Sequence, residues 1–253
     1  LEAHLKNVAE MSSGFASKLG LARTGELLGY LHDFGKYSEE FQKYITGCSE
    51  ANVGDIDHST AGAQYVFRKL LNSTADSLFP AQIIALCLAS HHSGLINCID
   101  VDGVDVFSKR IGKDVSETHV EKVKSAIPEE LHEKVVRLLN LSKNELLTVL
   151  KTVTSRGDSP EVAYFKVSLF IRMLFSCLID ADRIDAAGRT EKKGIPAWAG
   201  LSVSLEKYLS LLEKGAKTKV GKIRGEISES LKNSAQNARG VYSLTVPTGG
   251  GKT

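Results

Sequence analysis

Seven histidines occur in 253 residues, and five of them stand in short segments that also carry acid groups or a second histidine. His4 lies in "HLKNVAE", His32 precedes Asp33 in "YLHDFGK", His58 opens "HSTAG", His91 and His92 are adjacent in "LASHHSG", and "SCLIDADRIDA" holds Asp180 and Asp182. Each has an ordinary use when taken alone. His4 shares a helical face with Val8, Met11 and Phe15 and suits a hydrogen-bonded core position; His58 suits a helix start; Asp180 or Asp182 suits an exposed charge or a partner for Arg183. Carboxylates in so apolar a stretch are costly unless paired or bound to a cation. Taken together, the order His, His-Asp, His, His-His, Asp on successive segments supplies enough ligands for two metal ions. A carboxylate such as Asp33 can bridge both, with imidazoles completing each shell and positions left open for water and phosphate. Two ions roughly 3.5 to 4 Å apart favour phosphodiester or phosphomonoester hydrolysis. Imidazole-rich shells suit Mn, Fe, Co or Ni, with Zn also compatible, better than an all-oxygen magnesium site.

The elements that must position these groups are helical. Leu5, Val8, Phe15 and Leu19 form one stripe, and Leu27, Leu28 and Leu31 begin another that ends near Gly35. Further helices are predicted over 38–45, 59–71 and 80–92, where Pro80 suits the first turn and Gly94 a stop. "DVDGVD" reads as a turn, three modest helices follow to about Val153, and Ser159 with Pro160 starts the longest helix, 161 to about 187. Gly188 to Gly200 reads as the start of a connecting region, followed by two amphipathic helices, in the second of which Val220, Ile223, Ile227 and Leu231 are helically spaced. "VYSLTV", after Gly240, reads as a strand. The expected class is mostly α.

A chain of this length with 42% hydrophobic residues can bury at least one full core. Its net charge of +2 gives no general basic excess for nucleic acid or membrane surfaces. The four cysteines form no C-x-x-C pair, and three of them lie in apolar surroundings that suit buried thiols, as expected of a reducing, cytoplasmic compartment. No uninterrupted apolar run reaches the roughly 20 residues of a bilayer span, so no membrane partner is expected. The start at Leu1 rather than Met predicts that the native N-terminus lies upstream.

The motifs "HLKNVAE", "LHDFGKYSEEFQKYI", "DHSTAGAQ", "SHHSGL" and "FSCLIDADRIDA" resemble the HD phosphohydrolase superfamily, and within it the HD nuclease domain of the CRISPR-associated nuclease-helicase of type I systems. The resemblance covers residue 1 to about 187. It implies an HD-type helical bundle over 1–187, a helical linker over 188–239, and the beginning of a helicase domain over 240–253. It also implies that His4, His32, Asp33, His58, His91, His92 and Asp182, ahead of Asp180, ligate metal, and that Asp33 and Lys36 serve catalysis, with Lys36 facing the scissile phosphate. The implied activity is endo- or exonucleolytic cleavage of single-stranded DNA during CRISPR interference, with a crRNA-guided surveillance complex as partner. The alternatives are an HD hydrolase of small nucleotides and a non-enzymatic helical docking module.

"VPTGGGKT" supplies glycines for close backbone approach to phosphate, Lys252 for the β and γ phosphates and Thr253 for magnesium. Val246 stands where the common phosphate loop has glycine, a variant similar to helicase motif I. Gly249, Gly251, Lys252 and Thr253 are thus the expected ATP and Mg site, in a full-length helicase only, because the following helix and acidic segment are not in this chain.

Overall fold

The computed structural model describes residues 1–47, 57–72, 74–188, 198–215, 218–238 and 240–246. They divide into two compact units, Leu1–Thr190 and Glu191–Thr253. Among the described residues the regular structure is helical, with no strand beyond one isolated bridge between Ile99 and Asp105. The mostly α class is therefore as the sequence predicts.

In the first unit, α1 (Glu2–Ala16) packs against α2 (Ala22–Leu31), and a 3-10 turn over Phe34–Tyr37 leads into α3 (Glu39–Ile45). α4 (Ser59–Leu71) pairs with α5 (Leu78–Ser90). Short helices α6 (Val106–Ile111), α7 (Val115–Thr118) and α8 (Val120–Ala126) precede two long ones, α9 (Glu129–Val153) and α10 (Pro160–Ala186). α9 lies against α2, while α10 runs along α1 and also touches α2, α5 and α9.

Helix α5 is apolar on every face and is accordingly enclosed, with Ile83, Ile84, Cys87 and Leu88 buried. Leu5, Val8, Leu27, Leu28, Leu31, Leu174 and Leu178 share its core. Full burial of each such side chain contributes about 1.5 to 3 kcal/mol. This core holds five helix ends together: the start of α1, the end of α2, the start of α4, the end of α5 and the last turns of α10. Those ends carry the predicted ligands.

Close approach depends on glycine at two of these junctions. A Cβ on Gly29 would collide with Ala9 Cα, so glycine lets α2 reach the backbone of α1. A Cβ on Gly35 would collide with the backbone of His58, and the Gly35 amide donates to the His58 carbonyl at 3.1 Å.

The helix boundaries agree closely with the sequence reading at α3, α4 and α10; Ser38 and Ser159 cap α3 and α10 by accepting from Phe41 and Val162 amides. The reading of the helices before α10 needs correction. The segment before Val153 contains four helices rather than three, and the last is a 25-residue helix rather than a modest one. Nothing in 129–153 breaks it, since the only nearby proline is Pro128 at its N-cap. No uninterrupted apolar run spans a bilayer, yet α10 is long and apolar enough by length and composition alone, with mean hydropathy 1.8 over an 18-residue window. Its scattered polar residues interrupt the run without lowering the average enough. In this unit Phe170, Leu174, Cys177, Leu178 and Ala181 bury one face of it, while Phe165, Leu169 and Met173 are exposed.

The second unit contains α11 (Trp198–Gly215) and α12 (Lys219–Ser234), the two amphipathic helices expected there. Residues 241–246 form no strand, contrary to the β-like reading of "VYSLTV". A β-branched run needs a ladder partner, and the described residues provide none. Gly249, Gly251, Lys252 and Thr253 lie outside the described residues.

Candidate metal centre

The site is organised around Asp33, whose side chain is 2% exposed. Its two oxygens face different sets of imidazoles. Oδ2 lies 3.3 Å from His32 Nε2 and 3.6 Å from His4 Nε2; Oδ1 lies 3.5 Å from His91 Nε2, 3.7 Å from His58 Nε2 and 3.9 Å from His92 Nε2. Asp182 Oδ1 joins the first set, 3.4 Å from His4 and 3.7 Å from His32. Two ligand groups thus share one carboxylate: His4, His32 and Asp33, and Asp33, His58, His91 and His92.

Local structure explains why the rings point inward. His32 and His91 occupy the C-caps of α2 and α5, where helix carbonyls lack intrahelical partners. His32 Nδ1 donates to the Gly29 carbonyl at 2.8 Å, and His91 Nδ1 donates to the Leu88 carbonyl at 2.7 Å. A carbonyl only accepts, so each ring carries a proton on Nδ1, and Nε2 is the atom turned to Asp33. His4 is arranged likewise, with Nδ1 at 2.6 Å from Asp185 Oδ2. Its Nε2 stands 3.2 Å from that of His32.

The result is a buried convergence of acceptors. Asp33 Oδ1 and His91 Nε2 are both buried, and neither has a hydrogen-bond partner among the described residues. Such an arrangement is unfavourable unless positive charge enters, either as protons on the rings or as metal ions. Burial opposes ionisation of Asp33, but His32, His4 and His91 outweigh it and hold the carboxyl well below the usual carboxylate range. The Asp33 carboxylate raises His4 against the opposing effect of burial, with Asp185 adding to the rise. His92, pushed down by burial and then by its neighbours His91 and His58, falls to about 4. The donor set fits divalent metal ions: orphaned buried acceptors, preset tautomers and a carboxylate able to bridge two pockets.

All seven predicted ligands therefore converge. Asp180 is exposed and, two residues from Asp182, is turned by about 200° around the helix, away from the cluster. Lys36 is present but turned to Asp33, its Nζ 2.6 Å from Oδ2. The same ammonium lies 5.8 Å from the centre of the Phe41 ring.

Several supporting residues escape a reading for ligands alone. Asp185 stands behind His4 and also accepts from Asn7 Nδ2 at 2.8 Å. Its spacing of three from Asp182 on one helix, and that of Asn7 from His4, was an available signal. Asp57 precedes His58 and organises the start of α4, accepting from the Thr60 amide at 3.0 Å and the Thr60 hydroxyl at 2.7 Å. Lys113 pairs with Asp57, and Arg110 reaches the Ser59 hydroxyl at 2.8 Å. Gln64 fastens the same segment by donating to the carbonyls of Ile111 and Lys113 at 2.9 and 2.8 Å. Burial pushes the Asp57 carboxyl up, but Lys113 and Thr60 prevail and hold it well below the usual carboxylate range.

Comparison of the sequence with protein-family models finds no match, and comparison with curated proteins finds none.

Proposed function

We propose that the chain is a metal-dependent phosphodiester hydrolase of the HD type that cleaves single-stranded DNA. The observation that carries this reading is the Asp33 carboxylate, each oxygen of which faces its own set of imidazole nitrogens. When bound, two divalent transition ions supply a nucleophile from water near neutral pH and stabilise the attacking and leaving oxygens of an in-line displacement. His4, His32, Asp182 and Asp33 would hold one ion, and Asp33, His58, His91 and His92 would hold the other. Asp33 fixes the two pockets relative to one another, and the Nδ1 bonds of His32 and His91 keep the rings in register without rearrangement on binding. Lys36, whose ammonium stands beside Asp33, would offer its charge to a phosphate oxygen.

Phosphate chemistry follows from the ligand set; single-stranded DNA as substrate follows from the motif resemblance and from the helicase-like "VPTGGGKT". A surveillance-complex partner, and an ATP-driven helicase in a longer protein, belong to the same reading.

The test is a nuclease assay on circular single-stranded DNA with Mn²⁺, Co²⁺ or Ni²⁺, run beside mononucleotide and cyclic-nucleotide substrates. Metal-dependent cleavage of the circle, lost in Asp33→Ala, is expected. Turnover confined to small nucleotides would transfer the site to a nucleotidase or cyclic phosphodiesterase. Full activity in Asp33→Ala would refute the site.

A further inference from the structure

Asp185 was not among the expected ligands, and its geometry gives it a different task. Its Oδ2 lies 2.6 Å from His4 Nδ1, on the side of the ring away from Asp33, while its Oδ1 accepts from Asn7 at 2.8 Å. Both carboxylate oxygens are thereby committed, one to the ring and one to the residue that fixes it. His4 sits in the first turn of α1, where helix carbonyls are already engaged and no C-cap carbonyl is at hand to take its Nδ1 proton, as Gly29 does for His32 and Leu88 for His91. The acceptor is supplied instead from the last turn of α10.

We propose that Asp185 is the positioning residue of the first ion pocket: it keeps the His4 proton on Nδ1 and thus aims the Nε2 lone pair at His32, Asp33 and Asp182. Asn7 holds the Asp185 carboxylate in that orientation. The arrangement is a carboxylate–histidine pair behind a ligand, which fixes the ring and raises its basicity as a donor. It also makes the pocket depend on contact between α1 and α10, because His4 and Asn7 come from one helix and Asp182 and Asp185 from the other.

The role in metal binding rests on the reading under Proposed function, whereas the control of His4 does not, and the experiment separates them. Ring-nitrogen NMR of metal-free protein at alkaline pH reads the tautomer of His4 directly. The wild type is expected to show the Nδ1–H form, and Asp185→Ala to shift His4 toward Nε2–H while His32 and His91 keep theirs. Manganese titration of the same proteins is expected to show affinity about 10- to 100-fold weaker in Asp185→Ala. Asp185→Asn, which retains one acceptor oxygen, should fall between the two. In a His4→Gln background, Asp185→Ala should cost no further affinity, an outcome that general unfolding would not produce. Should Asp185→Ala fail to fold, Asp185→Asn and Asn7→Ala carry the same two readouts. An Nε2–H form in the wild type, or unchanged tautomer and affinity in the folded variants, overturns the proposal. A correct tautomer response in a protein that takes up no manganese leaves Asp185 as the determinant of His4 and overturns the metal reading instead.

Discussion

Replacing Asp182 and replacing Asp180 should have opposite consequences, although the two carboxylates are separated by one residue. Asp182 points at His4 and His32, within 3.4 and 3.7 Å, whereas Asp180 is exposed. Removing one direct ligand from a site of this kind should lower bound metal severely, so Asp182→Ala is expected to lose at least one ion per chain by elemental analysis. Asp180→Ala should keep wild-type content and melt within about 0.5 kcal/mol of the parent. Equal loss in both would show that the assignment on α10 is wrong. The five histidines and Asp33 were legible as a set because imidazole is rare and two adjacent pairs are rarer still. The choice between Asp180 and Asp182 was not legible from chemistry, since only the rotation of α10 against α1 decides which carboxylate faces inward. Asp185 and Asn7 were missed for a related reason: their spacing is ordinary on a helix, and its meaning appears only when Asp185 meets both His4 and Asn7.

At the scale of elements, helix ends bring the site together, and two different fastenings hold them. Gly29 is the first. Adding a methyl there would force α1 and α2 apart, so Gly29→Ala should destabilise the unit by about 1 to 3 kcal/mol and weaken metal binding by separating His4 from His32. A denaturation midpoint and a manganese titration on the same protein check both halves. Asp57 is the second, tying the start of α4 to Lys113. Its folded carboxyl lies well below the ordinary 3.8, so the stability it contributes is present above that value and is lost progressively as pH falls below it. The stability gap between wild type and Asp57→Asn should therefore narrow between about pH 5 and about pH 2, read from urea midpoints. A gap that is constant or widens with acid would remove the Lys113 pair from the account. The turn residues at 38 and 159 declared the starts of α3 and α10 in the sequence because capping is local chemistry. The length of α9 and the packing of Gly29 and Gly35 were not declared, because both depend on which surfaces meet.

At the scale of the molecule, the first unit carries the whole candidate site, and its stability should respond to metal. Protein saturated at about 100 times the dissociation constant gains about 2.7 kcal/mol. For a unit of this size that corresponds to roughly 5 to 10 °C in Tm, which chelation should remove. An unchanged Tm on chelation would argue for a helical docking module instead. The mostly helical class was legible from periodicity along the chain. The strand expected at 241–246 was not realised, since a strand's own residues cannot supply the partner it needs. What the fold adds is a reason for the ligand order: the histidines occur at starts and ends of helices, where the rings can either satisfy a helix carbonyl or be held by a carboxylate.

The central claim is that Asp33 bridges two ion pockets. Anomalous diffraction from crystals grown with manganese tests it most directly. The account predicts two peaks, roughly 3.5 to 4 Å apart, one on each oxygen of Asp33, the first ringed by His4, His32 and Asp182 and the second by His58, His91 and His92. No peak at Asp33, or ions bound elsewhere on the chain with these rings unengaged, would contradict it.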